Sequence, residues 1–172
     1  MQNSNQFTTG ILFFLLVLLS HQAFAQPTET YPKITGYASI MHPIVIVNKD
    51  HTTTNFDRYY QVVFPFGINI WKSKKIGFSI ELAPGIKSEE GTSKMNNLLI
   101  HPGVLIALGK GFGFAGRVAF ETSGRYGITP VFSKVVKKNK ESAFYIAIPM
   151  PLRLGNNQPA SLSAGFQIGI SF

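Results

Sequence analysis

From Leu162 onward, apolar side chains take every even position: Leu162, Ala164, Phe166, Ile168, Ile170 and Phe172. Small or polar residues take the odd ones, from Ser161 to Ser171. Successive side chains of a strand point to opposite faces, so this period predicts a strand with one hydrocarbon face and one bland face. The same two-faced pattern returns at Ile76–Ile86, where Gly77, Ser79, Glu81, Ala83 and Gly85 take the other side. It returns again at Phe112–Phe120 and at Phe144–Leu154, whose second faces carry Arg117 and Glu121, and Arg153. Turn-forming or charged residues split eight such segments: Ile34–Val47, Tyr59–Trp71, Ile76–Lys87, Asn97–Leu108, Phe112–Thr122, Tyr126–Val136, Ala143–Leu154 and Ala160–Phe172. In the second and fourth, Val63 and Leu105 fall on the otherwise polar side, and the first and sixth are ambiguous in register. No helical periodicity competes with this rhythm.

Two architectures share such alternation. A soluble barrel or sandwich turns its bulky residues inward, and a membrane barrel turns them outward. The second face decides between them. It holds Gly, Ser and Ala with a few charges, too little Lys and Glu for a solvated exterior. It suits the narrow interior of an all-β, eight-stranded antiparallel up-and-down transmembrane β-barrel. Such an interior is just wide enough for its own side chains to fill. Glu81, Arg117, Glu121 and Arg153 would be costly there in isolation, so they are expected to pair across the lumen as a plug.

The remaining features concern location. Residues 1–25 contain no Lys, Arg, Asp or Glu; Ile11–Leu19 is a nine-residue apolar run, and Ala23-Phe24-Ala25 follows. The run is too short to span a bilayer, and the pattern predicts a signal peptide cleaved after Ala25. Its n-region lacks the usual Lys or Arg. Residues 26–32 read as a short disordered lead-in on the periplasmic side, and 33–172 as the barrel. There is no cysteine, so neither disulfides nor a lipid-modified Cys are expected, and a closed sheet must supply the stability.

The connections alternate in length. Asn48–Arg58 and Ser88–Asn96 read as longer outer segments, and 72–75 and 109–111 as tight turns. The links at 123–125 and 155–159 are short for outer loops. The net charge of +8 gathers in Lys72, Lys74, Lys75, Lys110, Lys137, Lys138 and Lys140, all in turns on the side of the termini, expected to be the periplasm. These lysines suit the anionic headgroups of outer-membrane lipids, or else serve only to solvate the turns. Trp71, with Tyr31 and Tyr37 near the same side, suggests an interfacial aromatic belt. No aromatic-basic module points to nucleic acid.

With Phe166, Ile168, Ile170 and the terminal Phe172, the stretch 33–172 resembles the small eight-stranded outer-membrane β-barrel proteins of Gram-negative bacteria. The resemblance implies that this closing strand is the signal read by the barrel-assembly machinery. That family includes tethers, adhesins and lipid-modifying enzymes, so fold alone assigns no role. A non-enzymatic structural or surface-interaction protein of the cell envelope is expected, its envelope partner unnamed. Two alternatives are a lipid-modifying barrel enzyme and a secreted soluble carrier. Against the enzyme, neither His42 nor His101 has a Ser two residues away, and a His51–Asp50 pair in a loop is usually just solvated. No cofactor is expected, and no His/Asp/Glu cluster has metal-ligand spacing.

Overall fold

The structure, a computed structural model, describes residues 30–172. The segment expected to be a signal peptide and residues 26–29 of the expected lead-in lie outside the described residues. The strands are β1 (Lys33–Asn48), β2 (Thr52–Thr54), β3 (Tyr60–Val63), β4 (Phe66–Trp71), β5 (Ile76–Glu89), β6 (Thr92–Gly109), β7 (Phe112–Glu121), β8 (Tyr126–Lys138), β9 (Ala143–Pro149), β10 (Leu152–Leu154) and β11 (Ser161–Ser171). All pair antiparallel, and β11 returns to pair with β1, so the sheet closes on itself. Taking β3 with β4 and β9 with β10, eight staves form a ring. Past β11, the backbone N–H and C=O of Phe172 both bond Gly36, which completes the seam.

The second and seventh staves, expected as continuous strands, are interrupted. Pro65 and Pro151 sit at the breaks and have no N–H to give to the ladder. Their carbonyls still serve: Ser39 N–H donates to Pro65 at 2.8 Å and Ser163 N–H to Pro151 at 2.9 Å.

Two expected connections need correction. Ser88–Asn96 is not a loop. β5 and β6 continue as one long hairpin to Glu89 opposite Thr92. Glu90 and Gly91 turn it, both at positive φ (50° and 76°), as the two-residue turn that matches strand twist requires. Within the predicted Asn48–Arg58 loop, β2 folds back on Val45–Val47 of β1.

Bulky residues point away from the ring interior. Ile168 is 54% exposed and Phe132 48%. Direct partners on adjacent strands extend this outer face: Ile76 opposes Ile106, Ile106 opposes Phe114, Phe114 opposes Phe132, and Phe132 opposes Ile148. The rings of Phe114 and Phe132 lie 5.1 Å apart. The interior row one residue away runs through Leu105, Ala115 and Val131, all buried. Val63 and Leu105, the two residues that break the sequence pattern, are both 7% exposed. They anchor the two small apolar clusters of the interior.

Candidate functional site in the ring interior

The interior polar residues form two groups. In the first, Glu81 of β5 directly opposes His101 of β6. His101 Nδ1 lies 2.8 Å from Glu81 Oε1, and the Tyr37 hydroxyl donates to Glu81 Oε2 at 2.8 Å. Arg117 Nη2 approaches the same Oε2 at 3.5 Å and donates to the Tyr37 hydroxyl at 3.2 Å. It also reaches Ser79 Oγ at 3.4 Å. Glu81 is only 3% exposed. A buried carboxylate needs this many donors, because desolvation outweighs a single ion pair. Gly103, opposite Arg117, makes the space: a Cβ there would sit 2.5 Å from Arg117 Cγ.

In the second group, Arg153 Nε donates to Glu121 Oε1 at 2.6 Å, and Ser123 Oγ donates to Glu121 Oε2 at 2.9 Å. Arg153 Nη1 donates to Thr129 Oγ1 at 2.9 Å. The four interior charges predicted from sequence thus stand as two separate pairs, Glu81–Arg117 and Glu121–Arg153. Tyr37, Ser79, His101 and Thr129 complete them. Ser79 was legible, since it shares the small-residue face of β5 with Glu81, whereas Tyr37 and Thr129 lie on β1 and β8, the two segments whose register the sequence leaves ambiguous.

The first group forms a septum between two cups. At the end bearing Arg125, a cavity of about 280 Å³ is floored by Met41, Val63, Ala83 and Leu99. At the opposite end, a cavity of about 310 Å³ is lined by Tyr37, Trp71 and Tyr145. The void between them is about 30 Å³, room for one or two waters. Trp71 and Tyr37 were expected at the interface with lipid. Both face inward instead, because the alternation of β1 and β4 puts them on the interior side, and Trp71 packs against the cluster of Leu105, Ala115, Val131 and Ala147.

The ring places Lys72, Lys74, Lys75, Lys110, Lys137, Lys138 and Lys140 at one end, beside the last residues of β11. Lys137 and Lys138 are not turn residues as expected. They pair with Phe144 and Ala143 as the last residues of β8, and the turn itself is closed by Asn139 N–H donating to Ser142 O at 2.7 Å. Lys33 and Lys134 join this end, where Glu141 is the lone acid among the described residues. Most of the chain's basic excess therefore gathers at this end among the described residues. Lys134 lies on the outer face, its Nζ 3.9 Å over the Phe112 ring and bonded to Lys110 O. A lysine whose stem follows apolar surface while its head reaches a polar rim behaves this way.

On β11, Phe166 and Ile168 face outward, Ile170 is half-buried, and Phe172 lies exposed just beyond the strand. His42 Nδ1 bonds the Tyr60 hydroxyl at 3.1 Å, and His51 contacts Asn48. No histidine contacts a serine hydroxyl among the described residues, and no group of three His, Cys, Asp or Glu is placed to hold a metal.

No family model matches this chain, and no curated protein matches it. Among solved structures it is similar to a de novo designed transmembrane β-barrel, at 12% identity and a TM-score of 0.48, covering 84% of this chain and 98% of that one.

Proposed function

We propose that this chain is an integral outer-membrane protein, an eight-stranded transmembrane β-barrel with a structural or surface-interaction role and no catalytic one. One observation carries the reading: bulky apolar side chains cover the outside of a closed sheet whose buried residues include Glu81, His101, Arg117, Arg153 and Gln167. Soluble monomers rarely expose a contiguous apolar patch beyond a few hundred Å². In lipid this sidedness is the stable one, because closure leaves no unpaired strand edge and the tails meet hydrocarbon. β7 and β11, at 10 and 11 residues, match the ~9–11 needed to cross a bilayer at a tilt.

Residues 1–25 would then direct export, and the lysine-rich end would face the periplasm, against anionic headgroups of the inner leaflet. Assembly machinery would meet the segment Phe166–Phe172 during insertion. The septum through Glu81 and Arg117 supports a closed interior rather than a pore. Membranes washed with alkaline carbonate test the reading. The protein should stay in the pellet, need detergent for release, and migrate differently on gels before and after boiling. Release into the wash as a monomer would overturn it.

A further inference from the structure

We propose that the cup at the end opposite the lysines binds a small carboxylate bearing a short apolar chain. The cup has an apolar floor and a cationic wall. Met41, Val63, Ala83 and Leu99 form the floor. Glu121 and Arg153 neutralise each other at 2.6 Å, so neither supplies net charge. Arg125 is different. No acid lies within ion-pair distance of it among the described residues. Its Nη2 is pinned by the carbonyls of Arg153 (3.1 Å) and Pro159 (2.9 Å). Its Nε is buried without a partner.

Backbone carbonyls orient a guanidinium but do not cancel its charge, so the wall retains one positive charge held in place before any ligand arrives. The side-chain amide of Gln61 lines the same cavity and makes no hydrogen bond among the described residues, leaving a second donor. The volume, about 280 Å³, falls at the lower edge of the ~300–1,000 Å³ typical of drug-sized ligands. A carboxylate on Arg125 with a short chain over the floor fits both the charge and the size. This site depends on the ring's interior and not on what surrounds its outer face.

Calorimetric titration of hexanoate into the protein in phosphatidylcholine nanodiscs tests it, with hexanamide and dodecanoate alongside. Saturable binding of one hexanoate per chain is expected. Hexanamide, or the R125Q variant, should weaken it by roughly tenfold or more, as loss of a charge-assisted contact does. R125K should retain most of it, and S163F, which fills the cup, should abolish it. The R125K and R125Q pair separates charge from any effect on folding. Absence of saturable heat overturns the proposal. So does affinity that keeps rising from hexanoate to dodecanoate and ignores R125Q, which is partition into the bilayer.

Discussion

Glu81 and His101 face each other across neighbouring strands, with Nδ1 2.8 Å from Oε1 and both side chains almost sealed from solvent. Arg117 and Tyr37 close around the same carboxylate. One acid thus holds three elements of the ring, β1, β6 and β7, to β5.

Glu81→Ala should therefore be costly. It leaves Arg117 buried without its counter-ion and His101 and Tyr37 without their acceptor. A loss of about 3–5 kcal/mol is expected, read as a lower urea midpoint for unfolding from lipid vesicles. Replacing Glu81 and Arg117 together by Leu should recover part of that loss. A double variant worse than Glu81→Ala would show that the ion pair does not set the cost.

Glu121→Ala should cost less, about 1–3 kcal/mol, because Glu121 lines the open cup. It should also leave the protein non-conducting in planar bilayers, since the septum at Glu81 lies deeper. A stable ion conductance appearing with unchanged heat resistance would contradict the plug.

Gly103→Val places methyl groups where Arg117 passes. Displacing that side chain should cost about 1–3 kcal/mol. Gly91→Val, with open space around it, should show only backbone strain at its positive φ. Comparing the two midpoints separates crowding of Arg117 from loss of glycine as such.

Ile168→Lys puts a charge on the outer face of β11. If that face meets the bilayer midplane, a cost of about 2–4 kcal/mol is expected, measured by the same unfolding assay. A neutral effect would place Ile168 in water.

Charge reversal at Lys137, Lys138 and Lys140 should reduce retention of anionic phospholipid by about 1 kcal/mol per residue, scored by native mass spectrometry of the detergent-extracted protein. Equal retention would assign these lysines to solvation of the strand end.

Strand sidedness was legible wherever a strand keeps strict alternation. β5, β7 and β11 do so, and their inward residues Glu81, Arg117 and Gln167 follow by counting. β1 was ambiguous for a physical reason. A bulge between Pro43 and Val45 shifts its register, so inward positions are odd up to Pro43 and even from Ile46. In β8 the outward Lys134 mimics a polar interior position, although its charge reaches the rim over Phe112. The Glu81–His101 pair was hidden by a second bulge. Ile86 opposes Met95, but Gly85 opposes Asn97, which leaves Asn96 over. Without that extra residue Glu81 would face Ile100. A bulge leaves no mark in the alternation except its consequence, and so the partner of Glu81 was readable only once the strands were paired.

The absence of cysteine from the chain permits a direct test of which face meets lipid. Single cysteines at 165 through 170 would carry spin labels on the protein in vesicles, with collision rates measured against oxygen and against a water-soluble nickel chelate. Labels at Phe166 and Ile168 should collide freely with oxygen and little with nickel, while the label at Gln167 should be shielded from both. Nickel-accessible labels at Phe166 and Ile168 would mean that water covers the hydrocarbon face, and the membrane account would be wrong.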